Sequence, residues 1–239
     1  MRTSRFHARA GRWFWRRSSS IPPSLQRPWR RFAAPIGIPF YAFVRRSGYS
    51  PPDAEDLVQG FFSRLLEKHW LDSVSAEKGR LRTFLIVAMK KFMANEWRRA
   101  SAQRRGGGTS ALSLDTEFAE SRYAADATPK LSGEAVLDRE WALTLIDLSL
   151  NRLRAEFAAT GNPGGFDALK GCLMAARGAI DYAAVAERLG TNEGAARVAV
   201  HRFRKRFREV YRDEILQTLP DGGDLDAEMR HLAAALAQD

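Results

Sequence analysis

The chain reads as an all-α protein: two helical lobes joined by a flexible linker, the C-terminal lobe a helix-turn-helix (winged-helix-like) domain. Three observations predict this. Apolar residues recur at three- and four-residue intervals over most of the chain, no segment of strand period interrupts them, and glycine-rich breaks separate the periodic blocks. The 239 residues allow one large domain or two small ones, and a hydrophobic fraction of 45% is enough to bury a real core. No internal repeat is visible.

Residues 1–39 are rich in Arg, Trp and Pro and follow neither period, so they are read as an irregular basic segment. No continuous apolar stretch follows the early arginines, which argues against a signal peptide. The net charge of +10 belongs to this end of the chain: residues 1–48 hold 11 of the 38 basic residues and no acid, leaving 27 basic against 28 acidic residues. A nucleic-acid argument therefore needs local clusters further along.

The first lobe is expected at 40–105. In YSPPDAEDLVQGFFSRLLEKHW, Asp53 serves as a candidate N-cap with Asp56 three residues on. Ala54, Leu57, Val58, Phe61, Phe62, Leu65 and Leu66 form one apolar stripe, opposite Glu55, Asp56, Gln59, Arg64 and Glu67. A second helix from about 80 carries Leu81, Phe84, Leu85, Ala88, Phe92 and Met93. Between Lys78 and Arg105 stand nine basic residues and one acid, Glu96. Its aromatics Phe84, Phe92 and Trp97 read more readily as core than as stacking platforms. RRGGG at 104–108 ends that helix, and the Ser/Thr/Asp/Ala-rich 106–133 is the predicted linker. The second lobe spans 134–219, broken once by GNPGG at 161–165, and DLDAEMRHLAAALAQ gives a short helical extension within 220–239.

Within the second lobe, AAVAERLGTNEGAARVAVHRFRKR at 183–206 raises a specific expectation. Asp181 can cap a short helix whose Val185, Ala186 and Leu189 face inward. Gly190 ends it, because glycine takes the left-handed C-cap conformation at low cost. Thr191 then caps a second helix. On it Ala196, Val200, Phe203, Phe207 and Val210 share one arc, while Arg197, His201, Arg204, Lys205 and Arg208 share the opposite one. That is a helix-turn-helix with a basic outward face, the geometry that lays a recognition helix in the major groove. Arg197 lies near enough to the helix start to reach base edges, and Arg204 and Arg208 suit phosphates. A solvated arginine-rich helix on a bundle is the plainer alternative.

Other function classes find little support. The single cysteine, Cys172, excludes an internal disulfide and a multi-cysteine zinc site, and suits a reducing, cytoplasmic location. His7, His69, His201 and His231 show no H-x-x-E or H-x-x-x-H spacing, and no Walker-type or dinucleotide glycine loop occurs. No enzyme activity, metal or cofactor is expected. No apolar run approaches the ~20 residues of a membrane span.

Three stretches, in this order, resemble bacterial RNA polymerase sigma factors of the extracytoplasmic-function type, a subfamily of the sigma-70 family. DAEDLVQGFFSRLLEK resembles the helix that docks on the clamp of the polymerase largest subunit, GRLRTFLIVAMKKFMANEWRR the helix that melts and reads the −10 element, and YAAVAERLGTNEGAARVAVHRFRKRF the helix-turn-helix that reads the −35 element. The resemblance covers about 40–105 and 135–216. It implies that Asp53, Glu55, Asp56, Gln59 and Arg64 face core RNA polymerase. It implies that the loop Asp72–Arg80 holds a flipped base. Lys78, Arg80, Arg82, Phe84, Lys90, Lys91, Trp97, Arg98 and Arg99 would attend the melted strand. Thr191, Glu193, Arg197, Val198, His201, Arg202, Arg204, Lys205 and Arg208 would contact the −35 duplex. The implied partners are core polymerase and promoter DNA, with room for an anti-sigma or other regulatory protein and no membrane.

The sequence departs from the family pattern in places. Gly60 stands where an acid is frequent, Ile86 where an aromatic is, and Val198 and Ala199 where recognition helices are often polar. AATGNPGGFDALKG replaces the usual Leu-Pro-rich opening, and the 219–239 extension exceeds the minimal pattern. Relatives also begin with a further helix leading into YAFV. Codons that can encode residues 9–17 and 32–37, shifted by two nucleotides, decode as RWSLVLA and CGAYW, phrases the family uses there. A frameshift resolving near Ile38 is therefore expected, and high-coverage resequencing that confirms an unbroken frame would remove the idea. A stand-alone helix-turn-helix repressor or activator is the competing reading, distinguished by having no use for an acidic docking helix.

Overall fold

Helices form where the apolar period runs, and their caps decide where they stop. The computed structural model describes residues 36–67, 81–102, 116–125, 131–176, 178–219 and 223–238. Among these residues there are nine α-helices and no strand. They are α1 (Gly37–Arg46), α2 (Pro51–Glu67), α3 (Leu81–Ala102), α4 (Thr116–Ala125), α5 (Gly133–Ala159), α6 (Pro163–Leu169), α7 (Tyr182–Leu189), α8 (Glu193–Leu216) and α9 (Leu225–Leu236). The chain divides into two compact units, one of residues 1–144 with 217–239, the other Leu145–Leu216. The division thus falls inside α5 and again at the end of α8. The all-α expectation holds. The wing of a winged helix has no counterpart among the described residues, and residues 1–35, including the proposed frame change at 9–17, lie outside them.

The first unit is built on aromatic side chains. Phe40 of α1 lies 5.7 Å from both Phe61 and Phe62 of α2, and Phe61 lies 5.8 Å from Phe92 of α3, ring centre to ring centre. All four are buried, together with Val44, Val58, Leu65, Leu85, Met89, Leu137 and Trp141. Burying one such side chain contributes about 2 kcal/mol, so this cluster dominates the stability of the unit. Gly60 belongs to it: a Cβ there would stand 3.4 Å from Phe92, in contact with the ring that joins α2 to α3. Helix α1 begins at Gly37, inside the segment read as irregular, because Ile36 and Phe40 are both buried.

Two further corrections concern caps and linkers. Helix α2 is capped by Ser50 rather than Asp53: the Ser50 carbonyl accepts from Ala54 N at 2.9 Å, and its hydroxyl donates to Asp53 Oδ2 at 2.6 Å. The Pro-Pro pair then occupies the first helical turn, where missing N–H groups cost nothing. The predicted linker at 106–133 contains α4. Ala119 is buried, and Glu120 receives hydrogen bonds from Tyr41 (2.5 Å) and from Arg45 Nε and Nη2 (2.9 and 2.8 Å). The arginine and the phenol hold the Glu120 carboxyl below the usual carboxylate range, the Arg45 bond most strongly. Burial, with that carboxylate beside it, pushes the Tyr41 phenol well above its usual range.

The extension 220–239 also proves structural. Asp224 caps α9 by accepting from Ala227 N at 2.9 Å, and Glu228, Leu232 and Ala235 are buried in the first unit. The second unit closes around Phe157, Phe166 and Phe203, whose rings lie 5.7 to 6.2 Å apart, with Leu153, Leu169, Cys172, Val185, Ala196, Val200 and Val210. Asn162 caps α6 through Gly165 N at 2.9 Å, with Pro163 in its first turn.

Candidate nucleic-acid interface

The helix-turn-helix forms by the local rules its sequence states. Asp181 Oδ1 accepts from Ala184 N at 3.0 Å and starts α7. Gly190 ends it with φ of 63°, the left-handed conformation that a side chain would strain. The cap of α8 is Asn192, one residue beyond the predicted Thr191: its side chain accepts from Ala195 N at 2.9 Å, and its carbonyl from Ala196 N at 2.9 Å. Thr191 is instead the turn residue that donates its N–H to Ala186 O at 2.9 Å.

Helix α8 sorts its residues as the 3.6 period requires. Ala196, Val200, Phe203 and Val210 are buried and Phe207 partly so, packed against the core that α7 supplies. Arg197, His201, Lys205 and Arg208 are exposed along one arc, with Val198 and Arg202 exposed beside it. From Arg197 to Arg208 the arc runs about 16 Å, enough to follow a major groove about 12 Å wide. Glu193 stands exposed at the first turn and pairs with Arg197 at 3.3 Å. Arg197 also lies over the Tyr182 ring, 4.3 Å from its centre.

Arg204 departs from its sequence assignment. It is partly buried, and its guanidinium donates to Cys172 O at 2.9 and 2.6 Å and to Ala175 O at 2.8 Å. Those carbonyls belong to the segment after α6, so Arg204 fastens that segment to α8 through Nε and Nη2. Arg206, which the sequence did not single out, is held similarly: it forms a two-pronged pair with Glu156 at 2.8 and 2.9 Å and a third bond to Glu209 at 3.1 Å. The pair lowers the Glu156 carboxyl and raises the Arg206 guanidinium. Internal carboxylates thus consume part of the apparent basicity of this helix.

In the first unit the candidate residues separate into three groups. Lys90, Lys91, Trp97 and Arg98 are exposed on α3, with Trp97 at 66% the most open large ring among the described residues. Lys90 pairs with Glu134, and Arg98 bonds its own helix at Ala94 O and Asn95 Oδ1. Phe92 joins the core as expected and Phe84 is partly buried, whereas Trp97 is not core. Arg82 leaves the surface altogether: it is 4% exposed, paired with Asp138 of α5 and lying 3.4 Å from Glu228 of α9. Its charge is spent holding three helices of the unit together. Lys78, Arg80 and the loop Asp72–Arg80 lie outside the described residues, as does the Arg99 side chain.

The acids expected on the outer face of α2 stand there, while Gln59 and Arg64 of the same face are engaged within the chain. Asp53 and Asp56 are exposed and Glu55 partly so. Gln59 is only 4% exposed and donates to Glu55 Oε1 at 2.8 Å. Arg64 bonds Glu96 at 2.9 Å and lies over the Phe92 ring at 5.8 Å, tying α2 to α3. Tyr182 and Asn192 are the site residues that sequence reasoning missed. Each is the immediate neighbour of a residue that the pattern marks, Asp181 and Thr191.

No helix among the described residues is long and apolar enough to cross a membrane. Compared with known proteins, the chain matches no family model, no characterised protein and no solved structure.

Proposed function

We propose that this chain is a promoter-specificity subunit, a sigma factor that binds core RNA polymerase and directs transcription initiation without chemistry of its own. The observation that carries the reading is the capped helix-turn-helix whose second helix presents Arg197, His201, Lys205 and Arg208 on one exposed arc. A second helix in the other unit, α3, exposes Trp97 among Lys90, Lys91 and Arg98, a combination suited to a single strand, where ring stacking and phosphate neutralisation act together. One duplex-reading and one strand-holding surface on a single chain is what promoter recognition with melting requires. The exposed carboxylates Asp53 and Asp56 on α2 give a polymerase a place to dock.

In this reading the −35 duplex is contacted by Arg197, Val198, His201, Arg202, Lys205 and Arg208, while Arg204 holds the reading helix to its loop. Tethering both surfaces to one polymerase raises the effective concentration of the second contact, so neither needs high affinity alone. The chain would work in the cytoplasm, with no cofactor, and an anti-sigma protein remains a candidate partner. The internal engagement of Gln59 and Arg64 favours the second reading, a polymerase-independent helix-turn-helix regulator, because it thins the docking face. Transcription from fragmented genomic DNA by core polymerase, with and without the chain, separates the two. New start sites that share upstream elements support the sigma reading; duplex binding without new starts supports the regulator.

A further inference from the structure

Resting on the reading of α8 as a duplex-reading helix, one exposed arginine of that helix is held by both an aromatic ring and a carboxylate. The Arg197 guanidinium lies 4.3 Å from the centre of the Tyr182 ring, the shortest such approach among the described residues. Its Nη2 stands 3.3 Å from Glu193 Oε2. Tyr182 is the first residue of α7 and Glu193 the first of α8, so the grip joins the opening turns of the two helices of the motif. Arg197 nevertheless keeps a side-chain exposure of 59%.

The consequence follows from the shape of the group. A guanidinium held over an aromatic ring and bonded to a carboxylate is restricted in the orientations it can take, and its five N–H donors leave others for a ligand. The rotamer freedom that an arginine forfeits on binding is then forfeited already in the free protein. The Glu193 carboxylate makes the position unfavourable for a phosphate, because the two negative charges repel. A neutral base edge with two adjacent acceptors has no such penalty, and the guanine edge, with O6 and N7, matches two parallel N–H donors.

We propose that Tyr182 and Glu193 are positioning residues that hold Arg197 for bidentate recognition of one guanine in the major groove. Tyr182 sets the plane of the guanidinium, and Glu193 directs it away from the backbone and toward the base edge.

The test selects binding sites from a randomised duplex library with the full-length chain, alone and mixed with core RNA polymerase. Wild type is compared with Arg197→Ala, Tyr182→Leu, Tyr182→Phe and Glu193→Gln. Arg197→Ala and Tyr182→Leu should lose preference for the same guanine, by about tenfold, while Tyr182→Phe keeps it. The salt dependence of Tyr182→Leu should match wild type, since no phosphate contact is removed. Glu193→Gln should bind unselected DNA more tightly, with a steeper salt slope and a weaker guanine preference. Retention of that guanine by a Tyr182→Leu variant with wild-type circular dichroism overturns the proposal. So does a Glu193→Gln variant unchanged in both slope and preference, which decides the matter should Tyr182→Leu not fold. If wild type enriches no sequence in either arm, the duplex-reading role of α8 fails and this proposal with it.

Discussion

Arg204 and Lys205 are neighbours with the same charge and opposite roles. Arg204 donates to the Cys172 and Ala175 carbonyls, while Lys205 stands exposed on the outward arc. Arg204→Ala leaves those carbonyls without their charged donor and should cost the second unit about 1–3 kcal/mol in urea denaturation. Lys205→Ala should move stability by under about 0.5 kcal/mol, yet lower the salt slope of DNA binding by about one. Equal stability losses in the two variants would refute the distinction. Glu120 gives a second prediction at this scale. Its carboxyl titrates below the ordinary 4.5 in the folded chain because Arg45 and Tyr41 bond its charged form. Its contribution is therefore complete above about pH 4.5 and is lost as the pH falls through the lower folded value. Glu120→Gln should flatten the decline of stability with acid below that pH, as read from melts across a pH series. An unaltered decline would show that the Glu120 pair carries none of it.

At the scale of elements, the strongly periodic helices were legible and the weakly patterned ones were not. The stripes of α2 and α8 predicted most of their buried faces, Ala54, Val58, Phe61, Phe62 and Leu65 on one and Ala196, Val200, Phe203 and Val210 on the other, because each side chain there is sorted by its own helix. Helix α4 escaped notice because one buried alanine and one anchoring glutamate make no stripe; its partners Tyr41 and Arg45 are remote in sequence. The same remoteness hid the role of Arg82. Nothing near Arg82 in the chain announces that Asp138 and Glu228 will meet it, so local charge density assigned it to DNA. Helix α9 was legible as a helix but not as part of the core. Its Leu232 is fully buried, and His231 lies 2.8 Å from the Asp138 carboxylate that Arg82 also meets. Leu232→Ala should destabilise the first unit by about 2–5 kcal/mol, and removal of 223–239 by at least as much. Hydrogen exchange should show the loss in α3 and α5 rather than in α7. Wild-type protection of α3 in the truncated chain would mean that α9 is an appendage.

For the molecule as a whole, the net charge of +10 is a poor guide to function, since carboxylates of the same chain neutralise much of the described basicity. What matters is which exposed cations share one face of a helix: Arg197, Lys205 and Arg208 on α8, and Lys90, Lys91 and Arg98 on α3. The proposed roles of the two units should therefore separate by mutation. Arg197→Ala should weaken recognition of the upstream duplex and leave polymerase affinity unchanged, while Asp53→Lys with Asp56→Lys should do the reverse. The proposed family reading rests on the order of three motifs, whereas the engaged states of Gln59, Arg64, Arg82 and Arg204 come from contacts that spacing cannot show. The central claim is the polymerase partnership, and the most direct measurement is sedimentation of the full-length chain with purified core RNA polymerase. The account predicts a one-to-one complex that the Asp53→Lys, Asp56→Lys variant fails to form. A chain that sediments apart from core polymerase, while still binding duplex DNA through α8, would contradict it.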